Sequence, residues 1–220
     1  MRLKKIIYLL LGSLSISLMS CNAPTFRIFE KPVIFDEERE RLSVEYLQKR
    51  HGKEVENSSI QPRMIVVHWT EVPTLEATWD VFNSPYLNAR PDIMAASALN
   101  VSAQFLVDRD GTIFRLLPDT TFARHTIGLN YMAIGIENIG GSNAPLTRAQ
   151  LIANEQLIRY LYKRHPIEWV IGHHEYYAFQ NSEIWLETDP DYLTHKIDPG
   201  DRFMKRLRKR LSDLNPKFLP

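Results

Sequence analysis

Seven histidines, a single cysteine and a scatter of carboxylates are the groups from which this 220-residue chain could build a hydrolytic or metal site. His68 lies in the run Met64-Ile65-Val66-Val67-His68-Trp69-Thr70, His173 and His174 close a second apolar stretch that starts at Trp169, and His195 precedes Lys196-Ile197-Asp198-Pro199-Gly200. Taken singly, a histidine is more often a satisfied polar group than a ligand. At the ends of strands in an α/β sheet, however, side chains project into the crevice where sites form. Two imidazoles and a carboxylate are the ligand set of hydrolytic zinc, which keeps a fourth position for water. Alternation along a strand sends His173 and His174 to opposite faces, so spacing alone does not choose between them. Other hydrolytic chemistries lack their parts, since the sequence has no Gly-x-Ser-x-Gly elbow, no Walker loop and no His-Glu-x-x-His.

The elements that must position these groups can be read from periodicity. Met64–Thr70, apolar, β-branched and bounded by Pro62 and Pro73, is expected to be a buried central strand. Ser102–Asp108 and Thr112–Leu117 flank Arg109-Asp110-Gly111, a hairpin signal, and Ala133–Gly140 and Trp169–His174 read as further strands. Thr147-Arg148-Ala149-Gln150 is a capping-box pattern opening a helix to about Arg164. Helices are also expected over 35–50, where Leu42, Tyr46 and Leu47 recur at helical spacing, over 74–82 and over 201–214. The stretches 83–100 and 175–195 show no clear period. The basic residues of the last helix read as a solvated face. The class is α/β, a single domain with a central mixed β-sheet flanked by helices and the metal site at its strand ends.

Composition adds mostly exclusions. The chain is 44% hydrophobic and 24% charged, with 27 Lys plus Arg against 26 Asp plus Glu, so one real core is expected and nothing points to nucleic acid as partner. One cysteine rules out an intramolecular disulfide framework. Arg2, Lys4 and Lys5 followed by the apolar stretch Ile6–Leu18 read as an export signal. It ends in Leu18-Met19-Ser20-Cys21, which resembles the bacterial lipobox, and that resemblance implies acylation of Cys21 at the mature N-terminus. Asn22 follows in place of an inner-membrane retention aspartate, which favours an outer-membrane lipoprotein facing the periplasm. Loss of the three basic residues leaves 24 cations against 26 anions, a slightly acidic mature chain.

Five stretches, in order, resemble the zinc-dependent N-acetylmuramoyl-L-alanine amidases of the family that also contains the peptidoglycan recognition proteins. They are Val66-Val67-His68-Trp69-Thr70, Ser102 to Gly111, Ile134-Gly135-Ile136-Glu137-Asn138, Ile171-Gly172-His173 and Lys196-Ile197-Asp198-Pro199-Gly200. The resemblance implies one zinc ion held by His68, His173 and Asp198, a catalytic carboxylate in Glu137, and Lys196 as the cation beside the reacting carbonyl. It places His173, directly after the family's glycine, as the ligand and leaves His174 as a neighbour. It implies peptidoglycan or muropeptides as substrate. The chain is divided into 1–20 as signal, 21–57 as tether and peripheral helix, and 58–220 as the amidase domain, and a monomer is expected, though no sequence feature sets the oligomeric state.

The departures from the family bear on substrate contacts. Ala103 stands where some branches carry a catalytic tyrosine, and Asp198 where they carry a cysteine ligand. Gln104 replaces a common histidine, and Arg124-His125-Thr126 replaces Trp-His-Ala, so Gln104, Arg124 and His125 are candidate substrate-binding residues. The stretch between His173 and Asp198 is longer than the family's loop and rich in aromatics, and it reads either as a flap over the glycan or stem peptide or as a surface decoration. A non-catalytic peptidoglycan-binding lipoprotein and a zinc peptidase on the same fold stay open as alternatives.

Overall fold

A computed structural model describes residues 26–88 and 90–220; the export signal and Cys21 lie outside the described residues. A six-stranded sheet runs through it in the order β1-β4-β3-β5-β2-β6. The strands are β1 (Ile28–Glu30), β2 (Met64–Trp69), β3 (Phe105–Val107), β4 (Ile113–Arg115), β5 (Ala133–Asn138) and β6 (Trp169–Gly172). β3, β5, β2 and β6 are parallel, β4 is antiparallel to β3 across the Asp110-Gly111 turn, and β1 is parallel to β4 at the edge. The sheet is mixed, as the sequence implies. β1 falls in the stretch read as a tether, because three residues with one partner leave too short a pattern to recognise.

Alternation of side chains divides the central strands between two cores. Ile65, Val67, Ile134, Ile136 and Val170 point to one face, where α4 (Arg148–Tyr162) and α5 (Asp201–Arg210) cover them. Met64, Val66, Ala133 and Ile171 point to the other, against Leu129, Tyr176 and Phe179. The capping box at Thr147 forms as its pattern requires, with Gln150 at the third helical position completing it.

α1 (Glu37–His51) is part of the core. Leu42, Tyr46 and Leu47 are 1–3% exposed, and the buried Arg39 guanidinium donates to the carbonyls of Phe82, Asn83 and Ser84 at the end of α2 (Leu75–Asn83). The stretch 83–100, without periodicity, holds the short α3 (Pro91–Met94). Residues 174–197 form a packed strap rather than a flap. The strap starts as a 3₁₀ turn over His173–Phe179 and buries Tyr176 and Phe179 completely. It then ties down the end of α1, with Glu187 paired to Arg50 at 2.7 Å, His51 Nδ1 donating to the Leu186 carbonyl at 2.7 Å and the Thr188 amide donating to the Arg50 carbonyl. Its Trp185 ring lies where a Cβ on Gly128, which has φ +76°, would come within 2.6 Å.

Candidate metal centre and active-site cleft

Register brings the functional side chains into one row. Across the parallel β2–β5 pair His68 stands opposite Glu137, and across β2–β6 Val67 stands opposite Gly172, which sets His173 beside His68. All three follow the parity of Val66, Ala133 and Ile171, so they share the sheet face away from α4 and α5. Asp198 arrives from the loop before α5. Its carbonyl is pinned by the His174 amide at 2.9 Å and by His174 Nδ1 at 2.9 Å, while His174 Nε2 lies 2.9 Å from Asp201.

Three ligand-type atoms converge. His68 Nδ1 is 2.9 Å from His173 Nδ1 and 3.3 Å from Asp198 Oδ2, and His173 Nδ1 is 3.1 Å from the same oxygen. All three residues are buried. A tetrahedral zinc with bonds of about 2.0–2.1 Å spaces its ligands roughly 3.3 Å apart, so the triangle is close to that size. The surrounding hydrogen bonds fit a metal as well. His125 Nε2 can only donate to the Ala133 carbonyl, at 3.3 Å, which leaves His125 Nδ1 as an acceptor facing the Thr126 hydroxyl at 2.9 Å and His68 Nε2–H at 3.1 Å. His68 Nδ1 therefore carries the lone pair and aims it at the cluster. Burial first, and then the neighbouring His173, pushes the His68 pKa down to about 4; burial likewise lowers His173. Burial alone would raise Asp198, but His173 and then His68 hold its carboxyl well below the usual range. Two neutral imidazoles facing one carboxylate are the state in which such a donor set binds a divalent metal.

Glu137 and Lys196 flank this cluster. The Glu137 carboxyl is raised well above its ordinary value, by burial and by the Asp198 charge, with Lys196 opposing, and its Oε2 is enclosed without a hydrogen-bond partner. Burial lowers Lys196, against the pull of Asp198. A cleft of about 520 Å³ opens over these groups, walled by Trp69, Glu71, Val81, Arg90, His195 and Ile197. Glu71 holds a left-handed backbone, φ +51°, and accepts from the Ser142 amide and hydroxyl, which fixes one wall. No sequence pattern marks Glu71 or Arg90, since a cleft wall is assembled from loops without a shared period.

Of the three residues expected to touch substrate, Arg124 and His125 line the cleft, and all three also carry structural hydrogen bonds. Gln104 is fully buried, and its carboxamide is spent on the Thr121 carbonyl and the Gly135 amide. Arg124 is 2% exposed, its guanidinium satisfied by the carbonyls of Ser97, Leu99 and Ile93 and by the Tyr192 hydroxyl, so it locks the 93–99 loop to the strap. His125 orients His68. It fits because residue 135 is glycine: a Cβ there would meet the His125 ring at 3.0 Å.

Residues 58–201 match the profile of a family described as N-acetylmuramoyl-L-alanine amidase. The chain belongs to that family. Among solved structures, the N-acetylmuramoyl-L-alanine amidase LysC from Clostridium intestinale URNW superposes with a TM-score of 0.51 at 20% identity, covering 88% of this chain and 100% of that one. The endolysin amidase LysCS from the same organism gives 0.51 at 19% identity, over 87% and 97%. At such identity the likeness to both amidases is one of fold. No curated protein matches the chain significantly.

Proposed function

We propose that the protein is a zinc-dependent amidase that hydrolyses the bond between the lactyl group of N-acetylmuramic acid and the L-alanine of the peptidoglycan stem peptide. The observation that carries this reading is the convergence of His68, His173 and Asp198 beside an enclosed, unpartnered Glu137 oxygen, in a chain of the amidase family. Those three residues would hold the zinc, which when bound supplies Lewis acidity and water with a pKa near ~7. Glu137, its carboxyl raised well above the ordinary carboxylate range by burial and by the Asp198 charge, faces the cluster where it can accept the proton of the attacking water and return it to the leaving nitrogen. Lys196 offers its ammonium to the negative charge that develops on the carbonyl oxygen. Exported outer-membrane lipoprotein status through acylation of Cys21 rests on the sequence features alone.

A digest of purified muropeptides with mass analysis of the products tests this reading. Stem peptides with a free L-alanine amino group, released by zinc-loaded protein and not after chelation, are expected. Cleavage within the stem peptide would instead make the protein a zinc peptidase, and no release with zinc bound would make it a binder. In the same series Asp198→Ala should lose zinc and His174→Ala should keep it; the reverse would move the ligand to His174.

A further inference from the structure

We propose that α5 is a docking surface for the anionic phospholipid headgroups of the bilayer that holds the Cys21 anchor, so that the cleft opens away from the membrane; this rests on the anchor reading above, though not on the reaction. Arg202, Lys205, Arg206 and Lys209 are exposed, and their spacing of i, i+3, i+4, i+7 sets them in one stripe of the helix. Phe203, Met204, Leu207 and Leu211 form the opposite, buried stripe against the sheet. Among the described residues none of the four cations has an ion-pair partner, whereas the neighbouring Arg208 and Arg210 are bound to Glu175 and Glu155. A stripe of four unpaired cations, pointing straight out of the domain, is what a diffuse anionic surface requires. Phe218, 45% exposed, lies against the Arg208 guanidinium.

The chain's own geometry selects the membrane as the occupant. Phe26 packs on Tyr160 of α4 just before β1, at the sheet edge opposite β6, so the chain leaves the domain on the face that α4 and α5 cover. Four residues lie between Cys21 and Phe26, so the five steps of chain reach at most roughly 18 Å. An anchor on so short a lead holds this side of the domain near the lipid, where the α5 stripe meets the headgroups. His68, Glu137 and His173 lie on the opposite sheet face, so the same docking turns the cleft toward the space beyond the membrane, where a cell-wall substrate would stand. No helix among the described residues is long and apolar enough to cross a bilayer, which is consistent with contact at the surface. Each cation near an anionic surface favours contact about fivefold, so four favour the docked orientation by roughly two to three orders of magnitude at low salt.

The test uses the acylated full chain, purified from membranes and reconstituted in vesicles of phosphatidylglycerol with phosphatidylethanolamine, or of phosphatidylcholine alone. Because Cys21 carries the acyl group, a fluorophore can be placed on one new thiol at Ser212→Cys, just past α5, or at Glu56→Cys, on the α1 side. Headgroup-level quenching of the Ser212 probe is expected to be several-fold stronger on anionic vesicles, to fall with added salt, and to drop to the Glu56 level when Arg202, Lys205, Arg206 and Lys209 are all changed to Gln. That fourfold variant should hydrolyse soluble muropeptides at the unsubstituted rate, so loss of docking and loss of the amidase reading are separable. Equal quenching on both vesicles, or insensitivity to salt in the unsubstituted chain, overturns the proposal. So does salt-sensitive retention on purified sacculi that the fourfold change removes, which would give the stripe to a wall polymer. Failure of the chain to stay with vesicles once salt is raised overturns the anchor on which it rests.

Discussion

Glu137 and Asn138 are consecutive residues of β5 that point to opposite faces of the sheet, and the two polar clusters they enter are built on opposite rules. Asn138 faces α4, where its Oδ1 accepts from Asn154 Nδ2 at 2.7 Å and its own amide donates to the His68 carbonyl at 3.0 Å; Asn154 also donates to Gln150, and Gln150 to the carbonyls of Val107 and Ile139. That network is closed. Glu137 faces a cluster in which one carboxylate oxygen has no partner and two imidazole nitrogens point at each other and at Asp198. An unsatisfied buried polar group costs about 1–3 kcal/mol, and metal or substrate would complete this cluster. Buried atoms without partners also occur away from the cleft, at Tyr46, His51 and Trp169 among others, so what sets the Glu137 cluster apart is the convergence of an unpartnered carboxylate oxygen with three ligand-type atoms.

The contrast can be broken most directly at Glu137. Glu137→Gln should lower kcat on muropeptides by about 10²- to 10⁴-fold, the range for a lost general acid–base, while zinc content and thermal midpoint stay at the unsubstituted values. Loss of zinc in that variant would make Glu137 a ligand. Lys196→Met should cost about 10²- to 10³-fold in kcat, again with zinc retained; an effect confined to KM would assign Lys196 to binding alone.

The seam between α1 and the strap sharpens the contrast from the stability side. His51 is 3% exposed with Nε2 unpartnered, and burial first of all lowers its pKa to about 4. The unfolded chain binds that proton from about pH 6.5 downward and the folded chain only below about 4. Its contribution is therefore complete above pH 6.5 and is lost as pH falls to about 4, by about 3 kcal/mol in all. Urea midpoints across that window should fall less steeply in His51→Phe; an unchanged slope would assign the acid sensitivity elsewhere. The smallest effect is expected in the closed network. Asn154→Ala should lower unfolding free energy by about 1–3 kcal/mol by orphaning Asn138, with kcat within a few-fold. A large kcat loss there would mean that the network sets the position of His68.

Much of this was legible in local pattern. The β-branched run at 64–69, the Asp110-Gly111 turn and the Thr147–Gln150 cap each encode their element in a few adjacent residues, and each forms. Less was legible where meaning depends on distant partners. Gln104, Arg124 and His125 stand out in the sequence as departures from the family pattern, but the hydrogen bonds that hold them reach as far away in sequence as Gly135, Tyr192 and His68. The strap shows no period because its shape is set by α1 and the 128–131 loop rather than by its own sequence.

By itself, then, the sequence determined the fold class, the strand that carries His68 and the strand that leads into His173, and a set of residues whose types suit a metal, since strand and helix formation respond to patterns within a few residues. Only the tertiary structure decided that Glu137, His68 and His173 share one row on one sheet face, that His125 fixes which nitrogen of His68 carries the lone pair, and that Asn138 turns its back on the site. Parallel register across three strands, and the pairing of groups a hundred residues apart, exist only once the sheet has been assembled.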